Sequence, residues 1–136
     1  MKYLLDTDVM SDVIHDPFGS VGQRISRAGV DNVVTSIVTA AELRFGAIKR
    51  QAPGLASRVS LALESIRIVP FESPADVHYA RIRSQLERAG EPIGANDLFV
   101  AAQAIALDLI LVTGNLREFN RIKGLACQNW MAPRRA

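Results

Sequence analysis

Four short apolar runs, Tyr3–Leu5, Asn32–Thr35, Arg67–Phe71 and Asp108–Val112, are separated by stretches in which apolar residues recur at helical spacing. This alternation constrains the fold more than any other feature, because short strands joined through helices build a parallel sheet covered by helices. Leu55, Val59, Ala62, Leu63 and Ile66 outline one helix, and Val77, Ala80, Ile82 and Leu86 outline another; both sets are expected to be core. Pro53, Gly54, Ser73, Pro74, Gly90 and Pro92 punctuate the helices where starts and stops are needed. A chain of 136 residues, 49% hydrophobic and 22% charged, suffices for one core and is short for two ordinary domains. The expected organisation is one domain over residues 1–132 and a short basic tail, 133–136, with Arg134 and Arg135.

Several classes are excluded early. Cys127 is the only cysteine, so no internal disulfide is possible. The longest mostly apolar run, Leu98 to Val112, is broken by Gln103 and Asp108 and falls short of the roughly 20 residues of a membrane-spanning helix. Lys2 is followed by Asp6, Asp8 and Asp12, which is no signal peptide. The expected location is the cytoplasm, with no membrane partner.

Four acidic residues stand out by position. Asp6 ends the first strand in YLLDTDV, Glu42 lies in TSIVTAAELRFG, Asp97 in IGANDLFVAAQA and Glu118 in LVTGNLREF. Each has a structural reading. Thr39 with Glu42, and Asn115 with Glu118, fit capping boxes, and Asp97 suits a helix N-terminus through the dipole alone. As a set they say more, because a parallel α/β sheet gathers its strand C-termini and the following helix N-termini along one edge. Carboxylates about 5 Å apart repel by roughly 3 kcal/mol per pair at an effective dielectric near 20. Such a cluster persists with bound protons or with a cation. Oxygen ligands without a Cys or His cluster suit a hard ion, Mg²⁺ or Mn²⁺, rather than structural zinc.

The D-x-D string at Asp6 and Asp8 also opens the dehalogenase-type phosphatases, in which the first Asp is the nucleophile. That chemistry needs a downstream Lys and a closing acidic pair. The three lysines, Lys2, Lys49 and Lys123, are not placed for it, and Asp97 has no acidic neighbour within five residues. A response-regulator receiver fails on the same ground, having no mid-chain strand that ends in Asp. Ser11, Ser36 and Thr113 have no identifiable histidine partner, so a serine-type triad has little support.

The stretches YLLDTDVMSD, SIVTAAELRFGA, PIGANDLFVAAQA and LILVTGNLREFNRIKGL, in this order ahead of Trp130, resemble the PIN-domain ribonucleases, and among them the VapC toxins of bacterial VapBC toxin–antitoxin modules. The resemblance covers nearly the whole chain. It implies a PIN-like three-layer α/β/α sandwich with a central, mainly parallel sheet, and metal-dependent hydrolysis of an RNA phosphodiester. Asp6, Glu42 and Asp97 match the family's metal-organising acids, with Asp6 and Asp97 as ligands and Glu42 ligating through water or orienting the nucleophile. Thr113 and Asn115 match a strand-end T-x-[DN] pattern and, with Arg117, are implied substrate contacts. Position 115 is acidic in many relatives; with Asn115 here, Glu118 is the alternative for the fourth catalytic acid. Asp8 replaces a more usual Asn and Lys123 a frequent Pro, both taken to lie outside the acidic set.

The formal net charge is +2, from 16 basic and 14 acidic residues; setting the four candidate acids aside leaves a basic surplus of six on the remaining surface. Arg81, Arg83, Arg88, Arg117, Arg121, Lys123, Arg134 and Arg135 are candidate contacts to a phosphate backbone. From the resemblance, the implied partners are a cognate VapB antitoxin that covers the cleft, an RNA substrate in which tRNA or rRNA loops are cut, a second copy of the chain in a homodimer, and DNA only through the antitoxin. The alternative is a PIN-like interaction protein that has kept the fold and lost the chemistry. Retention of both Asp6 and Asp97 favours the enzyme.

Overall fold

A computed structural model describes residues 1–133. Five parallel strands, β1 (Tyr3–Leu5), β2 (Val33–Ser36), β3 (Arg67–Val69), β4 (Ile110–Val112) and β5 (Cys127–Gln128), lie in the order β3-β2-β1-β4-β5. Seven α-helices connect them: α1 (Thr7–His15), α2 (Ser20–Ala28), α3 (Ile37–Lys49), α4 (Pro53–Ser65), α5 (Ala75–Arg88), α6 (Ala95–Ala106) and α7 (Leu116–Phe119). The basic tail expected at 133–136 lies, beyond Pro133, outside the described residues.

The strands alternate faces, and this builds three layers. Leu4 pairs in register with Val34 on one side and Leu111 on the other, and all three enter a core with Ile82, Leu86, Leu98 and Phe119 from α5, α6 and α7. Leu5, Val33 and Val112 point the opposite way, into a second core with Val9, Met10, Val21, Leu43, Val59 and Leu63 from α1 to α4. Because helices cover both faces, the central strands read as unbroken apolar runs rather than as polar alternation. The alanine-rich segment of α6 buries Ala101, Ala102 and Ala104 completely, and these small side chains let the helix lie close to the sheet.

The four sequence-predicted strands are present, β1 with the expected ends and the other three with shifted ones. β3 stops at Val69 because Pro70 has no N–H for the ladder. β4 begins at Ile110 because Asp108, with φ of 54°, belongs to the turn that closes α6. β5 was not legible: two residues carry no period, and only pairing to Leu111 and Val112 defines them. Val77, 63% exposed, and Ala80, also exposed, depart from the expected core, while Ile82 and Leu86 on the same helix are buried. Helix α5 meets the protein along a narrower stripe than its apolar pattern suggested.

Candidate active site

Going outward from β1, the chain runs to β2 and β3 on one side and to β4 and β5 on the other, so the order reverses between β1 and β4. In open parallel sheets the crevice at such a switch, beyond the strand C-termini, is where ligands bind. Asp6 follows β1 at this point and Thr113 follows β4. The two are joined directly: the Asp6 N–H donates to the Val112 carbonyl at 2.9 Å, and Thr113 Oγ1 donates to Asp6 Oδ2 at 2.9 Å. Asp6 is only 5% exposed. Burial, reinforced by the charges of Asp8 and Asp97 and opposed by hydrogen bonds at Thr7 and Thr113, pushes its carboxyl up from the ordinary 3.8 to about 6.

Asp97 occupies the third position of α6, after the N-cap Gly94. Its carboxyl is likewise raised to about 6, first by burial and then by the charges of Glu118, Glu42 and Asp8. Asp97 therefore stands within electrostatic reach of acids from α3, α7 and α1, and its charge in turn acts on Asp6, so the four sequence-predicted acids are linked through it. Glu42 is held by Thr7, whose hydroxyl donates to Glu42 Oε1 at 3.1 Å. Thr7 also approaches Thr39 Oγ1 at 3.3 Å.

The capping readings are corrected. The N-cap of α3 is Ser36, whose Oγ accepts the Val38 N–H at 2.9 Å. Thr39 is inside the helix and buried, and Glu42 lies a turn further on, too far to serve the helix end. At α7, Asn115 is the N-cap residue but makes no side-chain cap; its Nδ2 donates to Glu118 Oε2 instead. Asn115 and Glu118 thus form one unit at the crevice rather than alternatives for a single place.

Thr113, expected at the substrate, is fully buried with its hydroxyl engaged by Asp6 and by the Asn115 N–H at 3.0 Å. It orients Asp6 from behind. Arg117 is exposed on α7, whereas Arg83 is paired with Glu87 and Tyr79. Asp8 was misjudged as lying outside the acidic set. Its charge acts on both Asp6 and Asp97, its own carboxyl is raised mainly by burial, and its buried Oδ1 has no hydrogen-bond partner among the described residues. The signal was available in the i, i+2 spacing of the two aspartates at the start of a helix.

Among the described residues, no three His, Cys, Asp or Glu side chains already enclose a metal-sized space. The donor set nevertheless fits one class of ion. Mg²⁺ keeps several waters and takes one or two carboxylates together with substrate phosphates, so it needs no complete protein cage. Two carboxyls raised to about 6, first by burial and then by neighbouring acidic charge, near a carboxylate oxygen unpartnered among the described residues, suit a hard cation. Asp6 and Asp97 would hold it, with Glu42 reaching through water.

The PIN domain family model matches residues 3–125. Ribonuclease VapC2 of Rickettsia felis is 33% identical over 132 residues, spanning 96% of this chain and 98% of that protein. The tRNA(fMet)-specific endonuclease VapC of Shigella flexneri is 34% identical over 131 residues, with the same shares covered. The fold matches the crystal structure of Rickettsia felis VapBC2 bound to a promoter DNA fragment with a TM-score of 0.88 at 32% identity, over 96% of this chain and 99% of that one. It matches DNA-bound VapBC of Salmonella typhimurium with a TM-score of 0.90 at 30% identity, over 96% and 98%. With its order reversal between β1 and β4 and its acids gathered there, the chain belongs to the PIN-domain family and, within it, to the VapC ribonucleases.

Proposed function

We propose that the protein is the toxin of a type II toxin–antitoxin module, an Mg²⁺-dependent endoribonuclease that cleaves tRNA or rRNA loops in the cytoplasm and is held inactive by a VapB antitoxin. The observation that carries this reading is the convergence on Asp97 of acids from three other helices, with Asp6 beside it and both carboxyls raised to about 6. A bound divalent ion supplies Lewis-acid polarisation of a phosphoryl oxygen and acidifies water.

The chain's own residues do the rest. Asp6, fixed by Thr113, and Asp97, whose charge acts on it, would supply the carboxylate oxygens. Glu42, steadied by Thr7, would reach the ion through a water or orient the attacking one. Asn115, Glu118 and the exposed Arg117 lie where the RNA backbone would enter, and the N-termini of α1 and α6 offer N–H donors to phosphate. Among relatives at similar identity, two are named for tRNA(fMet), which makes tRNA the first substrate to test.

Partners follow the same reasoning. The solved VapBC neighbours contain antitoxin and, in two cases, DNA, supporting a VapB that covers the crevice and carries the DNA contact. Ile37, Phe45 and Ile48 are exposed along α3, and a groove lined by Ile37, Val38, Phe45 and Phe99 beside Glu42 offers apolar area for a second copy in a homodimer. No helix among the described residues is long and apolar enough to cross a membrane.

The test is induction of the chain in cells with and without its neighbouring antitoxin gene, followed by sequencing of RNA 5′ ends. Growth arrest with new ends at a few defined tRNA or rRNA positions, relieved by the antitoxin, is the expected result. Arrest without new RNA ends would overturn it.

A further inference from the structure

We propose that Asp8 is a positioning residue of this site, a clamp that holds the β4–α7 loop so that Asn115 and Glu118 stand over the crevice; the proposal rests on the reading of that crevice as the place of RNA cleavage. Asp8 is the second residue of α1, yet its Oδ2 accepts the backbone N–H of Gly114 at 2.9 Å, 106 residues away in sequence. On the preceding residue, Thr113 Oγ1 donates to Asp6; on the following one, the Asn115 N–H donates back to Thr113 Oγ1. The two aspartates of the D-x-D string thus grip two successive residues of the loop. The second aspartate is neither a nucleophile nor a spare charge in this arrangement.

The approach is too close for a side chain at position 114. A Cβ added there would fall 2.5 Å from Asp8 Oδ2 and 2.8 Å from the Met131 sulfur. A side chain at position 114 would have to push the Asp8 carboxylate and the Met131 sulfur aside, which breaks the clamp. One residue beyond the clamp Asn115 begins its hydrogen bond to Glu118, and the charge of Glu118 is felt at Asp97. An anchored Gly114 fixes where that pair starts; a free loop would let both side chains swing off the crevice. Accepting one N–H does not require a charge, and Asp8 leaves its other oxygen, Oδ1, without a partner among the described residues. An asparagine could hold the same N–H through its amide oxygen.

This defines the experiment. Hydrogen exchange at the Gly114 amide is followed by NMR in wild type, Asp8→Asn, Asp8→Ala and Gly114→Ala (at residue 114 itself). Cleavage of a bulk tRNA pool is measured for the same proteins, each also with Glu118→Gln. Asp8→Ala should speed exchange at Gly114 by about tenfold or more. It should lower kcat by about 10- to 100-fold, the range for residues that orient a metal site's ligands, with a smaller change in KM. Asp8→Asn should recover most of both losses, and Gly114→Ala should reproduce Asp8→Ala from the other side of the contact. Glu118→Gln should cost less in the Asp8→Ala background than in wild type, because the loop no longer presents it. Unchanged Gly114 exchange in a folded Asp8→Ala protein would overturn the clamp. So would an Asp8→Asn protein as inactive as Asp8→Ala with Gly114 still protected, since charge would then be what matters. Glu118→Gln without effect in active wild type would overturn the reading of Glu118, and exchange at Gly114 distinguishes that failure from loss of the clamp.

Discussion

Two sets of buried polar groups sit at the same edge of one sheet and are handled in opposite ways. Beyond β2 and β3, Ser36 Oγ donates to Gln103 Oε1 and accepts the Val38 N–H, while Gln103 Nε2 donates to the Val69 carbonyl at 3.3 Å. This network is neutral, fully buried and internally satisfied, and it ties the start of α3 to α6 and to the end of β3. Beyond β1 and β4 lie Asp6, Asp8 and Asp97, with raised carboxyls and an Asp8 oxygen that no group among the described residues satisfies. A polar network that closes on itself rigidifies a fold; one left open stores repulsion that something from outside must relieve. The contrast separates structure from function within a few residues of each other, and Gln103 and Asp97 belong to the same helix.

The largest effect should come from the open set. Asp6→Asn and Asp97→Asn each keep the shape of the side chain and remove its charge, and RNA cleavage should fall by more than about a hundredfold with the fold intact by circular dichroism. A folded Asp97→Asn protein that cleaves at the wild-type rate would erase the distinction drawn above.

Next in size is the response to metal. Saturating Mg²⁺ or Mn²⁺ at about a hundred times its dissociation constant should stabilise the native protein by roughly 2.7 kcal/mol, a rise in thermal midpoint of about 5 to 10 °C. Antitoxin-free protein melted at pH 7 in chelator and then in each metal measures this, and Asp97→Asn should shrink the shift. Equal midpoints in all conditions would leave the acids without a metal to hold.

The same acids make stability depend on pH in a stated direction. Asp6 and Asp97 titrate near 6 when folded against an ordinary 3.8, so between about pH 4 and 6 the native state binds more protons than the unfolded chain. Metal-free stability should therefore fall as pH rises through that window and stay low above it. Asp97→Asn should flatten the fall and raise the metal-free midpoint at pH 7. A midpoint that climbs from pH 4 to 6 would contradict the assignment.

The closed set should behave in the reverse manner. Gln103→Leu strands Ser36 Oγ and the Val69 carbonyl and should cost about 1 to 3 kcal/mol, with a midpoint lower by several degrees at every pH and an undiminished response to metal. Loss of the metal response there would show that the two sets are one unit. The smallest effect is expected at Arg117, exposed on α7: Arg117→Ala should weaken RNA binding a few-fold and reduce the slope of log affinity against log salt by about one, measured by titration at several ionic strengths.

What the sequence determined by itself was whatever has a period or a spacing. Apolar runs and helical repeats specified a parallel α/β sheet, since both faces of each strand had to be covered, and Asp6, Glu42, Asp97 and Glu118 were legible because each lies at or within two turns of the start of a helix. Tertiary structure alone decided the rest. Whether Glu42 caps a helix or faces a crevice depended on one turn of α3, set by Ser36 taking the N-cap. β5 exists only as a partner of β4. Thr113 and Asp8 owe their roles to single hydrogen bonds across more than a hundred residues of chain. A hydrogen bond fixes two atoms to about 3 Å, and nothing in local periodicity reports which distant backbone amide a carboxylate will meet.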